Sequence, residues 1–140
     1  MKSIIILNPS LMSIETTESL LNRFDYAYER TSEHIEIKLG LGLRITVDFS
    51  QPEKVIIKEE LTTWNFLTGT LDMSLNRGII FNFIATFVIS GLIFIGFYQQ
   101  DHITPLIMLV VFIFIVLLWS NFYLVKAEHM KQTLRRWNEN

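Results

Sequence analysis

The sequence predicts an α+β protein: a small N-terminal β-α-β-β-β domain followed by a two-helix transmembrane hairpin. Three observations predict it. The runs 79–98 and 105–125 contain no Asp, Glu, Lys or Arg. The stretches 33–39 and 43–49 alternate apolar with polar residues, which is the period of a half-buried strand. The 140 residues are 50% apolar and 19% charged, with a mean hydropathy of +0.34; soluble domains average about 25% charged, and the two uncharged runs account for the deficit.

A domain over 1–62 follows from local pattern. In 2–7 (KSIIIL) β-branched residues cluster and Asn8-Pro9-Ser10 ends the run, so it reads as a strand. Ser13 or Thr16 can cap a helix whose residues Leu20, Leu21, Phe24, Ala27 and Tyr28 form one apolar stripe. Ile35, Ile37 and Leu39, then Leu43, Ile45, Val47 and Phe49, share a face across a hairpin whose turn is Gly40-Leu41-Gly42. Setting Leu39 opposite Leu43 pairs Ile37 with Ile45, Ile35 with Val47 and His34 with Asp48, because a one-residue slip would turn the apolar set outward. After the turn at 50–53, the segment 54–61 adds a strand with Val55, Ile57 and Leu61 inward. The first 78 residues hold eight basic and eleven acidic side chains.

Residues 63–78 connect this domain to the apolar runs. Trp64, Leu67, Leu71 and Leu75 recur near helical spacing, and two readings compete: a short helix lying in the membrane interface, or the last piece of the domain core. The interfacial reading is preferred, because Trp suits a membrane–water boundary and Arg77 can extend toward headgroups.

The runs 79–98 and 105–125 each have the roughly 20 residues that cross a hydrocarbon core of about 30 Å. The link 99–104 has no Lys or Arg, whereas Arg77 precedes the first span and Lys126, Lys131, Arg135 and Arg136 follow the second. The positive-inside bias therefore predicts both termini in the cytoplasm. The first apolar stretch, 4–7, is too short for a signal-peptide core, and the expected location is a multi-pass protein of the bacterial inner membrane. Asn82, Ala85, Ile89 and Gly96 fall on one face of the first span, with Asn121 at the depth of Asn82. That face is expected to pack on the second helix with an Asn82–Asn121 hydrogen bond. The tail 126–140 reads as a continued helix with Met130, Leu134 and Trp137 on one side. Trp64, Arg77, Lys126, Arg135, Arg136 and Trp137 are the expected membrane-interface residues, and a docking role for the tail against the acidic domain is the alternative.

Chemistry is sparsely signalled. With no cysteine, disulfides and thiolate sites are excluded. Net charge is −2, without the basic stripe of a nucleic-acid binder. His34, His102 and His129 fall in separate parts of the layout, and Gly40-Leu41-Gly42 lacks the context of a phosphate loop. Neither span carries a charge of the kind that marks an ion or proton path. The expectation is a non-enzymatic protein without cofactor or metal, partnered by the lipid bilayer and by a second copy or another membrane or cytoplasmic protein. A pore-forming, membrane-disrupting subunit is the alternative; an enzyme using His34 with Glu33, Glu36, Asp48 and Glu60 ranks third.

Overall fold

The computed structural model describes residues 5–7, 13–51, 54–97 and 103–139; the expected turn at 8–10, residues 52–53 of the turn at 50–53 and residues 99–102 of the link at 99–104 lie outside them. In chain order the elements are β1 (Ile5–Leu7), α1 (Ile14–Arg23), β2 (Tyr28–Arg30), β3 (His34–Gly40), β4 (Leu43–Asp48), β5 (Val55–Leu61), β6 (Met73–Ser74), α2 (Leu75–Phe97) and α3 (Ile103–Glu139). The strands form one antiparallel sheet in the order β1-β5-β4-β3-β2, and β6 pairs with β5 through Leu61 and Glu60. The protein is thus α+β, with an antiparallel sheet followed by two long apolar helices.

The predicted hairpin register is present: Ile37 faces Ile45, Ile35 faces Val47 and His34 faces Asp48. At its end a bulge between Lys38 and Gly40 sets Gly40, not Leu39, opposite Leu43. The turn needs Gly42 on two counts. Its φ is +77°, and a Cβ there would come within 2.6 Å of the Thr62 carbonyl oxygen.

The β-α-β-β-β order is incomplete, because β2 and β6 are additional. The helix stripe expected to reach Tyr28 stops at Arg23. Asp25 turns left-handed (φ +56°), and the Tyr26 N–H closes the turn onto Leu21 O at 3.0 Å. Tyr28 still faces inward, but from a strand opposite Ile37, with its hydroxyl 3.0 Å from Glu18 Oε1. The N-cap is Ser13, whose Oγ accepts from the Thr16 N–H at 3.1 Å.

One face of the sheet is covered and the other is bare. Against the covered face Leu21 of α1 and Met130 and Leu134 of α3 pack on Ile35, Ile37, Ile45, Val47, Val55 and Ile57, all essentially inaccessible. A second cluster joins Leu43, Leu61 and Leu67 to Leu75 of α2 and to Tyr123 and Ala127 of α3. Each large aliphatic chain buried this way stabilises by about 1.5–3 kcal/mol. The segment 126–139 is therefore a layer of the domain as well as a helical continuation of the second apolar run.

α3 is one uninterrupted helix of 37 residues, about 55 Å long at 1.5 Å per residue. Its first part packs on α2 and its last part on the sheet. Gly78 lets α2 start directly above the sheet edge, since a Cβ there would fall 2.4 Å from Leu61 Cδ1. Both helices are long and apolar enough to cross a membrane, and only 17% of the most apolar window of each is buried.

Candidate functional site

The feature that organises the molecule is the junction where sheet, loops and helices meet. It is built around the loop 62–72, which is irregular and not the helix that one reading expected. Asn65, buried, is its centre. Its side-chain oxygen accepts from the N–H groups of Leu67 (3.0 Å) and Thr68 (2.8 Å), and its Nδ2 donates to Thr68 Oγ1 (2.9 Å) and Gly69 O (3.2 Å). Asx side chains readily replace backbone partners in this way. Held so, the loop turns Leu67 into the core and leaves Trp64, Phe66 and Leu71 exposed. Leu67 thus fits the reading of the connector as the last piece of the domain core, and no helix forms over 62–72.

Tyr123 ties α3 to two loops at once. Its hydroxyl donates to Leu41 O (2.7 Å) in the β3–β4 turn and accepts from the Phe66 N–H (3.2 Å). Around it runs an aromatic series. Phe66 stacks on Trp119 (centroids 3.9 Å apart, planes 9° from parallel), Trp64 meets Phe66 edge-on at 4.6 Å, and Trp119 meets Phe122 at 5.6 Å. The Lys126 ammonium lies 5.5 Å from the Phe122 ring centroid, a cation–π distance. Tyr123→Phe leaves two backbone groups without their partner and should cost about 1–3 kcal/mol, read as a lower thermal midpoint of the full chain in detergent.

A second tie is electrostatic. Glu59 sits on the covered face of β5, opposite Ile45, and is only 8% exposed. Lys131 of α3, 9% exposed, places its Nζ 2.5 Å from Glu59 Oε1 and 2.7 Å from Glu128 Oε2. A buried carboxylate requires such a partner, because the desolvation of an unpaired charge is prohibitive. Strand alternation already places Glu59 between Ile57 and Leu61 on the inner face, and that was the signal for it.

The bare face carries paired charges. Lys38 pairs with Glu29, Arg44 with Glu36 (3.2 Å) and Lys58 with Asp48 (3.0 Å). Ser50, through its hydroxyl and its backbone N–H (3.0 Å), and then the Lys58 ammonium hold the Asp48 carboxyl down at about 2. His34 faces Asp48 in register, while Glu36 and Asp48 are each paired with a cation, Arg44 and Lys58. Among the described residues no three His, Asp or Glu side chains are grouped to hold a metal.

The helix–helix contact falls elsewhere than on the expected face. On α2 Leu75 and Gly78 are buried against the domain; further along, the buried positions are Thr86 and Ser90, about 40° and 80° round from Asn82 at 100° per residue. Asn82 and Ala85 are half-buried, while Gly96 is exposed and a Cβ there would meet nothing within 4 Å. Asn121 is exposed and donates its amide to Leu117 O of its own helix (2.9 Å); no hydrogen bond joins it to Asn82. On α3 the buried neighbours are Val116 and Ser120, one residue round from Asn121.

Of the six residues expected at a membrane interface, Trp64, Arg77 and Lys126 lie at this junction. Arg135 and Arg136 are exposed at the far end of α3. Trp137 stacks on Phe24 at 5.5 Å against the sheet cluster. No family model, curated protein or solved structure matches the chain.

Proposed function

We propose that the chain is a non-enzymatic, multi-pass protein of the bacterial inner membrane, with α2 and α3 spanning the bilayer and the sheet domain and both termini in the cytoplasm. In this reading the domain is presented at the membrane surface for a protein partner or a second copy. The observation that carries it is the exposure of the two helices: with about five-sixths of each apolar window uncovered, they present far more apolar surface than a soluble monomer leaves in water. Lipid is the solvent in which that surface is stable, and a helix is the form that satisfies its own backbone there. The Lys and Arg distribution around the spans supports the orientation.

The junction then marks the level of the cytoplasmic headgroups. Leu41, Trp64, Phe66 and Leu71 point out of the domain beside the start of α2, and Arg77 and Lys126 supply positive charge at that level. Trp137 is 14 residues beyond Tyr123, about 21 Å along the helix. Arg135, Arg136 and Trp137 therefore belong to the domain and not to the headgroup layer.

The absence of cysteine makes the layout directly testable. In intact cells, a membrane-impermeant maleimide should label Asp101→Cys and spare Glu53→Cys and Glu139→Cys until the cells are opened. Labelling of Glu53→Cys or Glu139→Cys from outside overturns the topology.

A further inference from the structure

We infer that the outward side of α3 at the junction is a binding site for one anionic phospholipid of the cytoplasmic leaflet. The inference rests on the membrane reading above and names a specific molecular partner within it. The site is a shallow groove of about 550 Å³ lined by Leu118, Asn121, Phe122, Val125, Lys126 and His129. Its composition changes sign along its length. Leu118, Phe122 and Val125 form an exposed apolar wall, and one turn further on the wall ends at two nitrogen donors, Lys126 and His129. An acyl chain fits the first part and a phosphate the second.

Three features favour a phosphate at that end. Like Lys54, Lys126 has no carboxylate within ion-pair distance among the described residues, whereas Lys38 and Lys58 each have one and Lys131 has two. Its ammonium is instead held over the Phe122 ring and beside the β3–β4 turn, where a Cβ on Gly40 would lie 3.9 Å from Nζ. It is thus oriented without being neutralised, which leaves its hydrogen-bond donors for an outside anion. His129 lies three residues on, on the same helix face, and its imidazole adds a donor. The level is also right, since Lys126 is one turn beyond Tyr123 and the aromatic series that marks the headgroup depth. Anionic lipids are attracted to basic side chains at this depth of the cytoplasmic leaflet.

The test is native mass spectrometry of the full chain in detergent, titrated with dioleoyl phosphatidylglycerol or with phosphatidylcholine bearing the same chains. We expect one phosphatidylglycerol to bind at least about fivefold tighter than phosphatidylcholine. The preference should vanish in K126Q/H129Q and persist in Arg135→Gln, which removes a charge about 14 Å along the helix from Lys126. Equal binding of the two lipids, or an equal loss in Arg135→Gln, overturns the site in favour of general charge attraction. Full competition by equimolar glycerol phosphate, which has no acyl chain, overturns it in favour of a soluble anion. Carbonate washing of the source membranes keeps the outcomes distinct. Release of the protein there overturns the membrane reading together with the lipid site. Retention together with absent selectivity overturns the lipid site alone.

Discussion

Ending the chain after Val125 should unfold the sheet domain while both apolar helices remain in the membrane. The truncation removes Ala127, Met130 and Leu134 from the covered face, where all three are essentially inaccessible, and takes Lys131 away from Glu59. Truncating a buried Met or Leu even to Ala costs about 2–5 kcal/mol, and losing the whole segment also exposes the sheet face beneath it to water. For Met130 and Leu134 together this is about 4–10 kcal/mol, comparable with the roughly 5–15 kcal/mol by which ordinary domains are stable. Limited proteolysis of solubilised protein is the measurement: the full chain should yield a protected fragment containing 13–51, and the truncated chain should not. A basic anchor lying only on headgroups would leave that fragment intact.

The second large effect separates the two partners of the buried ion pair. Lys131→Met should destabilise by about 3–5 kcal/mol, because Glu59 is left charged, buried and alone. Glu59→Leu should cost less, because Lys131 keeps Glu128 at 2.7 Å on the exposed side. The double variant Glu59→Leu, Lys131→Met should come back to within about 1 kcal/mol of the parent or exceed it, since matched apolar replacements of buried pairs are often neutral or stabilising. Thermal midpoints of the four proteins in one detergent give the coupling directly. If the shift of the double variant equals the sum of the two single shifts, the pair does not act as a unit.

The parts of the fold that could be read from sequence are those with a single, strong periodicity. The β3–β4 register from His34 to Ile37 followed from alternation together with the glycine turn, because a one-residue slip turns Ile35, Ile37, Ile45 and Val47 outward; the pair Leu39–Leu43 did not follow, because the bulge has no periodic trace. The two apolar helices followed from length and absence of charge. β2 was hidden because Phe24, Ala27 and Tyr28 continue the stripe of α1 at helical spacing; what ends the helix is the left-handed Asp25, a position that any Asp or Asn between two periodic runs can take. The loop 62–72 was hidden because Leu67, Leu71 and Leu75 mimic a helix, while its actual organiser, Asn65, acts through hydrogen bonds that leave no periodic trace. The junction itself was partly legible. Val116, Ser120, Tyr123, Ala127, Met130, Leu134 and Trp137 alternate at four- and three-residue spacing, so one seam passes from the apolar run into the tail. Only its last three apolar positions stand out by composition, because Ser120, Tyr123 and Ala127 do not look like core residues beside so many Leu, Ile and Phe. Glu59 was legible from strand alternation as a charged residue at an inward position, whereas Lys131 read only as part of the positive flank of the second run; their pairing depends on how far round α3 sits, which spacing within either element does not specify.

The unbroken course of α3 has a mechanical consequence. No hinge separates its apolar half from its sheet-bearing half, so a change in tilt, rotation or depth of the rod displaces the lobe as a rigid lever would. With a shaft of about 55 Å, a 10° swing of the embedded end moves the opposite tip by several ångströms. Forces on the apolar half and on the lobe thereby act on the same shaft.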